Sequence, residues 1–302
     1  MTRYYSHGKL LISGEYLILE GAIGLAVPTV QGQDLVVEET ETGLLQWESV
    51  DENERTWFTA EFELEDFELL KHSGDERVGE QLQRILRAAR KMNSRFLITS
   101  EGCRVRTALE FSRNWGLGSS STLVNNVAKW VDRNPFRLLF DSFGGSGYDI
   151  ACANSEKPLF YRLEGNQPKA YQVDFDPSFK KNLHFVYLNV KQSSKASIAH
   201  FQEVQDFDDQ TLDHITAISQ ELVRSENQED FNLLLEEHEK IIGSVLGEKP
   251  IQQRYFQDFP GQIKSLGAWG GDFVLVSSET NPCDYFFKKG FKTVLPYSKL
   301  VL

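Results

Sequence analysis

The chain has 302 residues, of which 40% are hydrophobic and 25% are charged, and its net charge is −12. Length and composition are typical of a soluble protein with one large or two ordinary domains. The negative charge argues against nucleic acid or an anionic membrane as the main partner, although local lysines and backbone N–H groups can still bind an anionic small molecule.

The N-terminus lacks the apolar core and cleavage site of a signal peptide, and no apolar run approaches the roughly 20 residues of a membrane helix. The three cysteines have no C-x-x-C spacing, which argues against a disulfide framework or a zinc site. We therefore expect a cytoplasmic protein, and either a monomer or a homodimer.

The first half of the chain has the alternation that is typical of strands. Residues 1–30 predict a hairpin-rich sheet broken at Gly14, Gly21 and Gly24, and residues 34–39 and 44–62 continue it. Apolar residues at helical spacing predict a helix over 78–92. Short strands are predicted at 96–99 and 103–108, followed by helices at 122–131 and from Pro135 to the glycines at 144–147.

The second half alternates strands with helices. Strands are predicted at 159–163, 171–175, 183–190, 273–277 and 293–296, and long helical patterns at 197–224 and 229–246. The change from a strand-rich first half to alternating strands and helices predicts two domains, residues 1–165 and residues 166–302.

The stretch G-L-G-S-S-S at residues 116–121 has the chemistry of an anion site. Its glycines let the backbone approach a ligand and turn N–H groups inward, and its serines fall where the next helix would begin, at the positive end of the helix dipole. Taken alone, it also fits a serine-capped helix after a glycine turn. The chain has no G-x-x-x-x-G-K-[ST], no G-x-G-x-x-G after a strand, and no kinase H-R-D and D-F-G pair.

Three more motifs accompany this stretch in a set order: G-K-L-L-I-S-G-E-Y at 8–16, G-S-G-Y-D-I-A at 145–151 and G-A-W-G-G-D at 267–272. Together the four resemble the motifs of the GHMP kinases, which include galactokinase, homoserine kinase, mevalonate kinase and phosphomevalonate kinase. The G-S-G-Y-D and G-A-x-G-G-D patterns are similar to the phosphomevalonate and mevalonate kinase branch. The resemblance implies a two-domain α+β fold, with an N-terminal ribosomal-protein-S5-like domain and a C-terminal ferredoxin-like domain.

The resemblance also implies a nucleotide site and a catalytic pair. The residues that would bind ATP are Asn114, Gly116, Leu117, Gly118, Ser119, Ser120 and Ser121. Ser119 or Ser120 would help to hold Mg²⁺, a hard cation that prefers oxygen ligands. Asp149 would be the catalytic carboxylate and Lys9 its charge partner, so that Asp149 takes the proton of an alcohol while Lys9 stabilises the oxyanion. The alternatives are a helix-capping aspartate and a solvated strand lysine.

By the same resemblance, a set of residues from several motifs would contact the acceptor: Glu15, Ser146, Tyr148, Lys191, Ser194, Ser197, His238, Ala268 and Gly270. Residues 191–197 would hold a second phosphate or, alternatively, form a polar turn, and His238 could instead be a packing histidine. Trp269 and Leu266 depart from the family pattern, which usually has glycine and a serine or threonine there. The carboxylate that mevalonate kinase places before S-G-x-D to hold magnesium has no clear counterpart.

The sequence thus predicts a kinase that uses ATP and Mg²⁺ and acts on a small isoprenoid precursor, phosphomevalonate or mevalonate. One alternative is a kinase of another small alcohol, such as homoserine or a sugar. Another is a protein of the same fold that binds a nucleotide or metabolite without catalysis.

Overall fold

The computed structural model describes residues 1–302 except 99, 166, 191–193, 205–206, 268 and 270. Its strands are β1 (Thr2–Leu11), β2 (Gly24–Glu39), β3 (Leu44–Val50), β4 (Thr56–Glu63), β5 (Leu69–Ser73), β6 (Cys103–Leu109), β7 (Leu159–Glu164), β8 (Gln167–Gln172), β9 (Leu183–Tyr187), β10 (Gln262–Ser265), β11 (Phe273–Ser277) and β12 (Val294–Pro296). Its helices are α1 (Glu76–Met92), α2 (Ser119–Trp130), α3 (Pro135–Ser142), α4 (Tyr148–Ala153), α5 (Ser194–Val204), α6 (Asp209–Arg224), α7 (Gln228–Leu246), α8 (Ile251–Tyr255), α9 (Cys283–Lys288) and α10 (Tyr297–Leu300). Within this described part of the chain, no helix is both long enough and apolar enough to cross a membrane.

The chain divides into two compact units, each built from several segments. Unit 1 comprises residues 1–8, 31–113 and 117–154, and unit 2 comprises residues 9–30, 114–116 and 155–302. The predicted boundary at residue 165 divides the chain into two continuous stretches. In the structure, by contrast, β1 and β2 each contribute residues to both units.

Unit 1 is a mixed sheet with helices packed on its apolar face. Its strands run in the order β5-β4-β3-β6-β2, and β3 and β6 are parallel while the other neighbours are antiparallel. Alternate residues of β3 and β4, such as Trp47 and Phe58, point into the core. α1 meets this face through Leu82, Ile85 and Leu86, the spacing of one helical stripe. Asp75 caps α1 by accepting the Arg77 N–H.

Unit 2 contains a second sheet, which is antiparallel with the order β10-β11-β9-β12. A compact cluster that includes Val186, Ile263, Val274 and Phe286 forms a core on this sheet. In the same unit, the first residues of β2 pair with β7, and β7 forms a hairpin with β8.

Most predicted elements are confirmed, but the strand predicted at 171–175 is shifted, since β8 ends at Gln172, and two predictions are wrong for local reasons. Of the strand expected at 96–99, residues 96–98 form turns instead, because Leu97 has φ 58° and the Phe96 N–H bonds back to the Asn93 carbonyl, and residue 99 lies outside the described residues. The single helix expected over 197–224 is two helices, since α5 ends at Val204 and Asp208 caps a new helix by accepting the Thr211 N–H.

Candidate active site

In unit 2, the glycine–serine stretch begins with a close backbone approach at Gly116. Gly116 has φ 65°, and a Cβ at this position would lie 2.3 Å from Asp272 Oδ2. A side chain here would therefore meet a buried carboxylate in addition to the strain of a positive φ. Asn114, also predicted to bind ATP, belongs to the same short segment of unit 2.

In unit 1, the stretch continues into the N-terminus of α2. Gly118 is the N-cap residue in a left-handed conformation with φ 88°, so no side-chain oxygen of the cap competes for the first backbone N–H groups. Ser119, Ser120 and Ser121 form the first turn of the helix. This is the arrangement that binds phosphate, because N–H groups and hydroxyls lie at the positive end of the helix dipole.

Asp149 and Ser121 are brought together by the packing of α4 on α2. The Ser121 hydroxyl donates to Asp149 Oδ2 at 2.9 Å, and one turn further along both helices Asn125 Nδ2 donates to the Ala153 carbonyl at 3.3 Å. Two contacts spaced by four residues on each helix fix the register of α4 against α2. The predicted catalytic carboxylate therefore lies beside the first turn of α2, with one of its two oxygens held.

The buried face of α2 is unusually polar. Thr122 donates to Gln33 Oε1 at 2.7 Å, and Asn126 donates to the Gln33 carbonyl at 2.8 Å. Ser6 donates to Asn126 Oδ1 and accepts from Asn125. Sequence reasoning did not find Ser6 or Gln33, since their partners lie about a hundred residues away along the chain.

In unit 2, the first motif turns sharply at Gly14. Gly14 has φ 90°, and a Cβ here would lie 2.7 Å from the Cα of Gly24. The Gly14 N–H donates to His238 Nε2 at 2.9 Å. Since Nε2 accepts this bond, the proton of the neutral imidazole is on Nδ1. Burial, followed by the charge of Lys264, lowers the pKa of His238 to about 4, which agrees with a neutral ring.

Glu15 is the centre of a buried network of ionisable side chains. Its Oε1 accepts from Lys264 Nζ at 2.6 Å, and its Oε2 lies 3.1 Å from His238 Nε2. Burial is the largest single influence and would raise the pKa of Glu15, but the Lys264 ammonium and the smaller contributions of His238 together lower it to about 2. Glu239 lies in the same interior and accepts the N–H groups of Ser265 and Ile251. Burial raises the pKa of Glu239 to about 8.

The two predicted acceptor contacts in this network, Glu15 and His238, are both buried: Glu15 is paired with Lys264, and His238 accepts the Gly14 N–H. Lys264 and Glu239 were not predicted as site residues. The feature that points to them is Lys264 itself, which lies inside the short buried strand β10. A buried lysine requires an anionic partner.

The remaining predicted residues are distributed over both units. Ser146 and Tyr148 lie at the start of α4 in unit 1, and Ser146 is buried. Lys9 lies on β1 and Ser197 on α5, both in unit 2. Lys191, Ala268 and Gly270 lie outside the described residues, and Ser194 is placed only as the first residue of α5.

The side-chain oxygens at the start of α2 are of the kind that a hard cation prefers as ligands. Among the residues that the structure describes, no three His, Cys, Asp or Glu side chains gather as a metal site. Mg²⁺ in kinases is usually held by one or two carboxylates and the substrate phosphates. Serine hydroxyls with the Asp149 carboxylate beside them supply the oxygen chemistry that such an ion requires.

The chain is similar to known proteins in its fold, at low sequence identity. No family model matches the chain, and no curated protein matches it. Among solved structures, the chain is similar to Methanococcus jannaschii mevalonate kinase, with 15% identity, a TM-score of 0.70 and coverage of 97% of this chain and 96% of that one. It is similar to Streptococcus pneumoniae phosphomevalonate kinase in complex with phosphomevalonate and AMPPNP, with 16% identity, a TM-score of 0.69 and coverage of 100% and 98%. It is also similar to Lactococcus lactis galactokinase complexed with galactose, with 14% identity, a TM-score of 0.64 and coverage of 95% and 87%.

These neighbours are small-molecule kinases of the GHMP type, and the expected fold is confirmed. A mixed sheet with helices and a separate antiparallel sheet agree with the two-domain GHMP kinase fold.

Proposed function

We propose that this protein is a phosphotransferase that uses ATP to phosphorylate a small isoprenoid precursor, phosphomevalonate or mevalonate. The observation that carries the proposal is the Asp149 carboxylate, held by Ser121 beside the first turn of α2. A phosphate-binding helix N-terminus and a positioned carboxylate are the two parts that phosphoryl transfer requires. None of the three cysteines, all of which the structure describes, forms a disulfide, which agrees with a reducing compartment such as the cytoplasm.

In this proposal, the backbone N–H groups at residues 117–121 bind the nucleotide phosphates. Mg²⁺ would be held by the hydroxyl of Ser119 or Ser120, as the resemblance implies, and would neutralise phosphate charge. Because Ser121 occupies Oδ2 of Asp149, Oδ1 is the oxygen that accepts the proton of an alcohol acceptor. Lys9 as the charge partner stays a prediction from the resemblance.

The choice of acceptor rests on the sequence motifs and the similarity to mevalonate and phosphomevalonate kinases. The similarity to galactokinase supports a second candidate, phosphorylation of a sugar. A coupled ADP-release assay with mevalonate, phosphomevalonate, homoserine and hexoses separates these functions. Turnover of none of them, with ATP binding intact, would favour a binding protein instead.

The carboxylate role is tested by D149N, which keeps the size of the side chain and an oxygen that can accept from Ser121. We expect kcat with an alcohol acceptor to fall by about 10²- to 10⁴-fold, as is typical when a general base is lost. The loss should be smaller with a phosphorylated acceptor, whose reacting oxygen needs no strong base.

The matched control is D141N, which removes an exposed carboxylate on α3 that pairs only loosely with Arg137, at 3.8 Å. It should leave kcat unchanged. A D149N protein that turns over mevalonate at the parent rate would contradict the assignment.

A further inference from the structure

A cavity of about 360 Å³ adjoins the buried ionisable network of unit 2. It lies between α7, β10 and the segment that begins with Pro250 and continues into α8, and all of its lining residues belong to unit 2. Its volume falls within the range of pockets that hold small organic molecules and is far larger than a single metal ion requires.

Glu239 lines this cavity, although its side chain is only 1% exposed. Its Oε1 accepts the Ser265 N–H at 3.0 Å, and its Oε2 accepts the Ile251 N–H at 3.3 Å. Backbone donors on both oxygens favour the carboxylate over the neutral acid, because N–H groups bond more strongly to the charged form. The hydrogen bonds around Glu239 are therefore arranged for a negative charge.

The interior around Glu239 lacks one positive charge when this carboxylate is ionised. Lys264 is already paired with Glu15, whose Oε1 lies 2.6 Å from its Nζ. His238 is neutral, since its Nε2 accepts the Gly14 N–H. In the part of the chain that the structure describes, no cationic side chain forms an ion pair with Glu239. Burying a carboxylate without a cation is costly, so a cation that reached Glu239 would be bound.

The remaining charged side chains of the cavity wall do not supply this cation. Glu236 and Lys240, one turn apart on α7, pair with each other at 2.6 Å, and both are about half exposed. Their charges cancel, which leaves Glu239 as the carboxylate without a partner charge. The glutamines at 253, 257 and 262 also line the cavity, and their amide oxygens can accept N–H groups.

We propose that this cavity binds a small organic cation, such as an alkylammonium, whose charged group pairs with the Glu239 carboxylate. The glutamine amide oxygens would accept the N–H groups that Glu239 does not. The inference does not rest on the proposed function, since none of the lining residues was assigned to ATP or to the acceptor.

Calorimetric titration of the whole protein tests the proposal, with n-butylammonium as the cation and n-butyramide as a neutral molecule of similar size. We expect the cation to bind more tightly than the amide. E239Q keeps the size of the side chain and an oxygen for the Ser265 N–H but removes the charge. The Kd for n-butylammonium should rise by about tenfold or more in this variant.

E236Q is the matched control, because it makes the same change one turn away on the same helix and in the same cavity wall. Since Glu236 is exposed and paired with Lys240, the Kd for n-butylammonium should stay within about twofold of the parent. A loss of affinity in E236Q, with E239Q unchanged, would place the cation at the surface and overturn the assignment.

The parent protein also provides a test that requires no variant. Burial raises the pKa of Glu239 to about 8, so the free protein holds a proton there at pH 7. Pairing with a cation requires the carboxylate, so binding should release about one proton per cation bound. Titrations in two buffers with different enthalpies of ionisation measure this release.

The results decide the proposal in either direction. Tighter binding of n-butylammonium than of n-butyramide, proton release, and loss of both in E239Q would support it. Equal binding of the two molecules, no binding of n-butylammonium to the parent, or binding without proton release would overturn it.

Discussion

Both units use buried polar groups to hold their glycine-containing motifs, but the two interiors differ in chemistry. In unit 1, the inward face of α2 carries hydroxyl and amide groups that do not titrate near neutral pH. In unit 2, the loop at residues 13–16 is held by Glu15, His238 and Lys264, which are all ionisable. The neutral network of unit 1 does not depend on a buried ion pair, whereas the charged network of unit 2 keeps its geometry only while Glu15 and Lys264 remain charged.

The largest expected effect comes from removing the cation of the charged network. K264M leaves the Glu15 carboxylate buried without its ammonium partner, so the free energy of unfolding should fall by about 3–5 kcal/mol. The double variant E15Q/K264M removes both charges and should recover most of this loss. Urea denaturation of the three proteins measures the difference. Equal losses in the single and double variants would show that packing, and not the unpaired charge, is responsible.

The second-largest expected effect is a pH dependence of the free energy of unfolding, which arises in the charged network. Because the pKa of Glu239 is raised from 4.5 to about 8 on folding, the folded protein binds a proton that the unfolded chain releases, and stability falls as pH rises through this interval. His238, with its pKa lowered from 6.5 to about 4, has the opposite slope below pH 6.5. A net decline is therefore expected between pH 6.5 and 8, of about 2 kcal/mol since one pKa unit corresponds to about 1.4 kcal/mol.

E239Q tests this assignment, because glutamine has the size of the neutral acid but does not titrate. Unfolding free energies at pH 6.5 and pH 8 should differ less in E239Q than in the parent. The assignment fails if the decline persists undiminished in the variant.

The smallest expected effect comes from a substitution in the neutral network, and it is a decrease in kcat. S121A removes the hydroxyl that holds Asp149 Oδ2, and, given the proposed function, kcat should fall about tenfold while the acceptor KM stays the same. S121T restores a hydroxyl and should recover the rate. N125A removes the neighbouring contact to Ala153 and should lower stability without a comparable loss of kcat. A similar loss of kcat in N125A and S121A would mean that helix packing alone controls the rate.

The sequence predicted best those structural features that depend on residues close together along the chain. The helical spacing at 78–92 predicted α1, and the glycines and serines at 116–121 predicted a glycine turn followed by the start of a helix, which is α2. The fold followed from the order of four motifs, each of which is a local pattern.

The charged network was not predictable in the same way. Glu15 and Lys264 are separated by 249 positions in the chain, and nothing in either local pattern indicates that they are paired. The residues that hold the motifs were therefore harder to identify than the motifs themselves.

The segmented composition of unit 2 has a consequence for biosynthesis. Residues 28 and 29 bond to the last residues of the chain, through the Leu302 N–H to the Pro28 carbonyl and a bridge between Thr29 and Val301. Segment 9–30 therefore emerges from the ribosome before β7, which pairs with residues 24–26, and long before residues 301 and 302. The contacts of Pro28 and Thr29 with residues 301 and 302 can therefore form only after the chain up to residue 302 has been synthesised.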